Sequence, residues 1–392
     1  MDNFIQWTPT EVIFGRGTEQ KAGLAVKRHR GTRVLVVYGG GSAVKSGLLS
    51  RVRESLDASK VAYAEFGGAR ANPTLKHAEE GVRLATDFKA DFILAVGGGS
   101  VIDTAKGIAH GAANPGVSLW DIWTERFTLL KSLPVGAVLT IAAAGSEMSD
   151  SAVLTNEDIP WKKGLNTPFN RCAFAILNPE LLFTVPPYQL FAGVADIMMH
   201  TMERYFIPGI KCELTDEIAE GLLRTVVRNA RILLKDSHNY DAMAEILWAS
   251  SLSHNNLTEC GRGRDFSVHK IGMPLSGRYN YTHGATLTAV WSAWARYLYE
   301  DAPDRFAKYA RNVWGIRKKG LEEAAMAGIY ATDDFFREIG MPISLLGLGE
   351  EVFGNEEIRL LAQDATVNDT IKLSRIRPLS ASDVENIYRM AL

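Results

Sequence analysis

The feature that most constrains this chain is a pattern that repeats through its first half and then stops. Val34-Leu35-Val36-Val37-Tyr38 and Phe92-Ile93-Leu94-Ala95-Val96 are short, apolar and largely β-branched, the texture of strands buried on both faces. Each runs into glycines, Gly39-Gly40-Gly41 and Gly97-Gly98-Gly99, and then into helix-like sequence at residues 42–59 and 100–113. Strand, glycine turn and helix in repetition indicate parallel βαβ construction. A third apolar stretch, Val135 to Ile141, precedes Gly145-Ser146, and Ala173 to Leu177 reads as a late strand closed by Asn178-Pro179. After Val185-Pro186-Pro187 the texture changes to long helical patterns at 188–206, 213–235, 241–258, 283–300 and 321–339. At 392 residues the chain exceeds what one core usually serves. The expected organisation is therefore an α/β domain with a parallel sheet over residues 1–185 and a helical domain over residues 186–392.

Composition narrows the function classes. With 46% hydrophobic and 22% charged residues and a formal charge of −2, nothing points to nucleic acid or a membrane surface. Cys172, Cys212 and Cys260 are scattered and form no CxxC pair, which argues for reduced thiols in a cytoplasmic protein. The opening MDNFIQWTPTEVIFG lacks the regions of a signal peptide, and no run approaches the roughly 18 apolar residues of a membrane span.

The block Gly97-Gly98-Gly99-Ser100-Val101-Ile102-Asp103-Thr104-Ala105-Lys106 follows a strong strand and opens a helix. Glycine lets a ligand approach the backbone, and the free N–H groups of a first helical turn attract anions such as a dinucleotide pyrophosphate. A tight turn that binds nothing is the plainer explanation, but three glycines and a serine exceed what a turn requires. This is not the GxGxxG fingerprint. At Gly39-Gly40-Gly41-Ser42 no carboxylate stands ready for ribose hydroxyls, and a serine hydroxyl and small groups leave room for a 2′-phosphate. That favours NADP(H) over NAD(H). Gly15-Arg16-Gly17 reads as a turn.

Asp196 and His200 lie one turn apart on a predicted helix and so share a face. Two more imidazoles would complete an N/O site for a divalent metal. Of eight histidines, His29, His77, His110 and His238 have no partner at ligand spacing, and His254 reads as part of a polar stretch of helix. His269 and His283 remain. On spacing alone, a satisfied core aspartate and scattered structural histidines fit as well as a metal site.

The sequence resembles the iron-containing (group III) alcohol dehydrogenases over nearly its whole length. The match runs through Thr8-Pro9-Thr10 and Phe14-Gly15-Arg16-Gly17, GGGSVIDTAK at 97–106, AAGSEMS at 143–149, the Gly193-Val194-Ala195-Asp196…His200 helix, His269 and His283-Gly284. Tyr38-Gly39-Gly40-Gly41-Ser42 places it nearest the NADPH-dependent butanol dehydrogenase and aldehyde reductase branch. The resemblance implies a Rossmann-like N-terminal domain, an all-α C-terminal domain and a cleft between them. It implies an enzyme that passes a hydride between NADP(H) or NAD(H) and a small primary alcohol/aldehyde pair. It also implies one divalent metal, iron(II) or zinc(II), on Asp196, His200, His269 and His283, the residues assigned to catalysis. Cofactor contacts carry over to Gly39, Gly40, Gly41, Ser42, Gly98, Gly99, Ser100, Asp103, Thr140 and Lys163, with Asn72 a further candidate. A homodimer is implied as well.

Two departures stand out. Relatives carry His-x-x-Gly-His-Glu-Leu from the third ligand onward, whereas this chain has Met273-Pro274 in place of the His-Glu pair. The proton is then expected from bound water or a cofactor ribose hydroxyl. Ala144 stands where relatives often carry a threonine next to the cofactor. Alternatives are a glycerol dehydrogenase-like polyol enzyme, a dehydroquinate synthase-like lyase and a catalytically silent relative. Asp196, where the lyase would have glutamate, and the retained ligand set count against the last two. Arg262-Gly263-Arg264 and Arg317-Lys318-Lys319 read as solvated loops. Trp161, Phe169 and Phe266 are candidates for a substrate wall, though residues of these types are more often plain core, and they are not assigned to the site.

Overall fold

The glycine-terminated apolar runs become the centre of a parallel sheet. The computed structural model describes residues 1–159, 161–349 and 353–392. Its contacts divide the chain into two units, Trp7–Val185 and Pro186–Leu392 together with Met1–Gln6. The first six residues thus depart from the expected 1–185 domain. Their backbone and side chains are held by the helical unit, Asp2 N donating to Gly261 O at 2.8 Å and Gln6 Nε2 to Asn255 O at 3.3 Å.

In the α/β unit the strands are β1 (Glu11–Phe14), β2 (Arg33–Gly39), β3 (Ala62–Ala69), β4 (Phe92–Gly97), β5 (Val135–Leu139), β6 (Ser151–Asn156), β7 (Trp161–Asn166) and β8 (Phe174–Leu177). Among the described residues, six form one sheet in the order β1-β8-β5-β4-β2-β3, all pairs parallel, while β6 and β7 form an antiparallel hairpin. The helices are α1 (Ala22–Arg28), α2 (Ser42–Lys45), α3 (Leu48–Ala58), α4 (Leu75–Asp87), α5 (Gly99–Ala113) and α6 (Leu119–Trp123). Val34, Val36, Leu94, Val96, Val138 and Ile176 pack on Ala22, Val26, Leu49, Val52 and Leu56 from α1 and α3, forming one core. The helix expected over 42–59 is broken at Gly47, whose φ of +71° ends α2 and starts α3.

The chain runs from β2 to β3 on one side, then returns to β4 on the other side of β2. This places the reversal of strand order between β2 and β4, where open α/β sheets leave a crevice beyond the carboxyl ends of their strands. Both glycine turns lie there.

The helical unit comprises α7 (Pro187–Tyr205), α8 (Glu213–Lys235), α9 (Tyr240–Ser253), α10 (Ser267–Tyr279), α11 (His283–Leu298), α12 (Pro303–Trp314), α13 (Leu321–Glu338), α14 (Asn355–Ala365) and α15 (Ala381–Met390). Pro187 opens α7, where its missing N–H costs nothing. From Leu190 to Tyr205 the helix is buried on every face, so it is the axis of this unit. Among the described residues no helix is long and apolar enough to cross a membrane.

Candidate functional site

In the α/β unit, the two glycine turns and Thr140, expected to touch a cofactor, lie at the carboxyl ends of the adjacent strands β2, β4 and β5, whereas Asp103 lies within α5, Asn72 beyond β3 and Lys163 in β7. The two glycine turns differ in physical cause. A Cβ at Gly97 would meet Val101 Cγ2 at 2.4 Å and one at Gly98 would meet Ile141 Cγ2 at 2.3 Å, so the protein's own packing requires glycine there. A Cβ at Gly40 would meet nothing within 4 Å, and one at Gly41 only the Lys45 side chain at 3.9 Å. The β2 turn is therefore open to a ligand. Gly98 caps α5 with no side-chain partner, and Gly99 and Ser100 in its first turn are part-exposed. A Cβ at Gly99 would lie 3.5 Å from the Ala144 methyl, and Thr140 N bonds Gly97 O at 3.2 Å.

Asp103 faces inward. Its oxygens accept from Ser146 Oγ at 2.6 Å and from the backbone N–H of Val153 at 2.9 Å. Lys106, fully buried, donates to Ser146 O, Ser146 Oγ and Ser151 O at 2.7–2.9 Å. Together they pin the 143–149 loop to α5. Asn72 accepts from Lys162 Nζ at 2.9 Å, and Lys163 lies 5.6 Å over the Trp161 ring.

In the helical unit, α7, α10 and α11 bring the acid and imidazoles together. Asp196 and His200 project from one face of α7, and their Oδ1 and Nδ1 are 3.3 Å apart. His269, in the first turn of α10, places Nε2 at 3.4 Å from Asp196 Oδ1. The ligand atoms of Asp196, His200 and His269 lie within 4.8 Å of one another. His283, the first residue of α11, puts Nε2 at 3.9 Å from the same Asp196 oxygen and is the most exposed of the four, at 31% of its side chain. Gly284 makes that approach possible: a Cβ there would sit 2.0 Å from Ala192 O, so only glycine lets α11 start directly on α7.

The electrostatics of this cluster favour a cation. Asp196 Oδ1, His200 Nδ1 and His269 Nε2 are buried, and among the described residues none has a hydrogen-bond partner. Each such atom costs about 1–3 kcal/mol when left unsatisfied, and three within a few ångströms are what a divalent ion would offset. Burial, with His254 and His269 beside it, holds the His200 pKa well below its ordinary value, leaving a neutral imidazole fit to ligate. Burial also opposes charge on His269, but the Glu203 and Asp196 carboxylates outweigh it and raise its pKa to about 9. The same two carboxylates that favour positive charge on the ring would favour a divalent cation beside it.

The chain matches two family models, the iron-containing alcohol dehydrogenase over residues 9–179 and the C-terminal part of the same family over residues 191–392. This chain belongs to the iron-containing alcohol dehydrogenase family. It is 37% identical over 391 residues to NADH-dependent butanol dehydrogenase A of Clostridium acetobutylicum, covering 99% of each chain. It is 35% identical over 351 residues to the NADPH-dependent aldehyde reductase YqhD of Escherichia coli, covering 89% of this chain and 90% of that one. Among solved structures, NADH-dependent butanol dehydrogenase A of Thermotoga maritima superposes with a TM-score of 0.95 at 34% identity, covering 100% and 99% of the two chains. The butanol dehydrogenases among these relatives bear NADH in their names, where the sequence resemblance led us to expect NADPH.

His254 and Arg262 differ from their sequence-based reading, and the sequence leaves Phe266 open between substrate wall and core. His254 is buried at the end of α9, and its ring stands edge-on to His200 with centroids 4.1 Å apart. Phe266 packs on His200, His254 and His269 at 5.2–6.0 Å, a wall of the metal cluster. Arg262 is no solvated loop residue: it is buried, pairs with Asp216 and donates to Cys212 O at 3.1 Å. Arg317, Lys318 and Lys319 are exposed, as expected. Glu203, against His269, was missed altogether, although an acid one turn past His200 and seven residues past Asp196, on the same helix face, was a readable signal.

Proposed function

We propose that this family member transfers a hydride between a nicotinamide cofactor and a small primary alcohol/aldehyde pair, with one divalent metal ion on Asp196, His200, His269 and His283. The observation that carries this reading is the buried cluster of Asp196, His200 and His269 ligand atoms, without hydrogen-bond partners among the described residues, in a chain of this family. When bound, the ion supplies Lewis acidity toward the oxygen of the substrate.

The residues supply the rest. Asp196 contributes the one formal negative charge of the ligand set, so a divalent ion keeps net positive charge for a developing alkoxide. His200 is held neutral by burial and ligates without first losing a proton. Phe266 excludes water from the His200 and His269 side of the cluster. With Met273 in place of an imidazole on α10, the product oxygen takes its proton from water or a cofactor ribose hydroxyl.

The α5 N-terminus at Gly98, Gly99 and Ser100 holds the pyrophosphate, and Asp103 and Lys106 hold the loop beside it in place. Thr140, Lys163 and Asn72 complete the cofactor side. The open Gly39–Ser42 turn, free of carboxylate, supports a preference for NADP(H), the cofactor named for the Escherichia coli aldehyde reductase. The enzyme acts in the cytoplasm as a homodimer, which sedimentation of the purified chain would test.

The test is to follow NADPH and NADH oxidation with a short aliphatic aldehyde, using enzyme loaded with iron(II) or zinc(II) and chelator-treated enzyme. Metal-dependent oxidation, faster with NADPH, is expected. Turnover with NADH alone overturns the cofactor preference and matches the cofactor named for the butanol dehydrogenases. Consumption of neither cofactor overturns the reaction.

A further inference from the structure

Glu203 is a buried carboxylate for which the hydride transfer has no direct use. It lies on α7 one turn beyond His200, on the face that carries Asp196. Both of its oxygens are committed to α10. Oε2 accepts from His269 Nδ1, and Oε1 accepts the backbone N–H groups of Val268 at 2.5 Å and His269 at 3.1 Å. The first N–H groups of a helix have no partner within it, and Phe266, at the N-cap of α10, offers no side-chain bond. Asp265 Oδ1 takes the Ser267 N–H at 2.8 Å, and Glu203 takes the next two.

This arrangement also settles the His269 ring. A carboxylate only accepts, so the ring proton shared with Glu203 resides on Nδ1. Nε2 then turns toward Asp196 Oδ1, 3.4 Å away. The same carboxylate thus fixes the start of α10 and the orientation of a ligand that α10 carries.

We propose that Glu203 is a positioning residue of the metal centre, joining α10 to α7 and aiming His269 Nε2 at the point shared by Asp196 and His200. The inference rests on the metal-site reading above. Outer-shell carboxylates of this kind fix the tautomer and raise the basicity of a ligating histidine. Glu203 touches neither substrate nor cofactor and acts through His269.

The experiment titrates chelator-treated, full-length protein with cobalt(II), reading the dissociation constant and the visible absorption of the bound ion. Wild type, Glu203→Gln, His269→Ala and the double variant are compared, with circular dichroism as the check on folding. Glu203→Gln is expected to weaken cobalt binding about 10- to 100-fold and to alter the absorption bands. In the His269→Ala background it should weaken binding no further. A Glu203→Gln variant that binds within about twofold of wild type, against the ten- to hundredfold loss typical of such partners, with unchanged bands, overturns the proposal. So does an equal loss in both backgrounds, since a purely structural role would not depend on His269. Should Glu203→Gln not fold, Glu203→Asp, which keeps the charge but withdraws the carboxylate, is judged by the same criteria. Wild-type protein that takes up no cobalt overturns the metal site itself, and that result is distinct from a variant that matches wild type.

Discussion

Two polar clusters, one in each unit, are buried in opposite ways. In the α/β unit, Lys106, Asp103 and His110 are closed upon partners. Lys106 donates three hydrogen bonds, Asp103 accepts two, and His110 sits between Ser132 Oγ at 2.8 Å and Asn170 Oδ1 at 2.9 Å. In the helical unit, Asp196, His200 and His269 converge with atoms that nothing in the described protein satisfies. Closed polar clusters hold a fold together, whereas convergent open ones mark where something else must bind. The contrast is internal to the helical unit too, because Asp216 is buried against Arg262, Arg305 and Lys308, which hold its carboxyl well below the usual range against the opposing effect of burial.

The contrast breaks first if the open cluster proves dispensable. Asp196→Ala should lower metal affinity about 100-fold or more and abolish metal-dependent aldehyde reduction, as read by calorimetric titration and NADPH oxidation. Unchanged affinity would place the metal elsewhere. The closed cluster should answer differently. Lys106→Met leaves buried acceptors unpaired and should cost about 3 kcal/mol of stability in denaturant unfolding of the metal-free protein. Its cobalt affinity should match wild type.

A pH series sharpens the comparison further. Burial lowers the His110 pKa from 6.5 to about 4, against the raising effect of Asn170. The unfolded chain therefore binds a proton here more readily than the folded one at any pH below the ordinary value. The stability this neutral histidine contributes is complete above pH 6.5 and is lost as pH falls toward 4, by about 3 kcal/mol in all. Unfolding midpoints between those values should show the decline, and His110→Gln should flatten it. A variant with the wild-type slope would move the effect to another group.

The smallest expected effect comes from Met273→His, which restores an imidazole four residues beyond His269. It should raise turnover a few-fold or shift its pH profile, well below the roughly hundredfold of a full general acid because the existing proton route remains. Rates unchanged at every pH would remove that position from the mechanism.

Much of this was legible in the sequence, and the rest was hidden for identifiable reasons. β2 and β4 could be read because parallel strands buried on both faces are continuous apolar runs, and α8 matches its expected span because its periodicity is unbroken. The β6–β7 hairpin escaped notice because Trp161-Lys162-Lys163-Gly164 has no strand pattern, its residues being only partly buried. The strand β1, four residues long, was equally silent. Asp196 and His200 announced themselves by helical spacing, since one element carries both. His269 and His283 remain once the other histidines are set aside, and their role as ligands comes only through family resemblance, because α10 and α11 meet α7 through tertiary packing that no local pattern encodes. His254 and Arg262 misled for the converse reason. Polar residues in polar stretches read as surface, and only the folded chain shows His254 turned against His200 and Arg262 against Asp216.

The most direct test of the central claim is a calorimetric titration of the chelated protein with iron(II) under anaerobic conditions, each step assayed for NADPH oxidation with a short aldehyde. One ion should bind per chain, with activity rising in proportion to occupancy, and neither should occur in Asp196→Ala. Activity at full strength in the chelated protein, or iron uptake that Asp196→Ala leaves intact, would contradict the central claim.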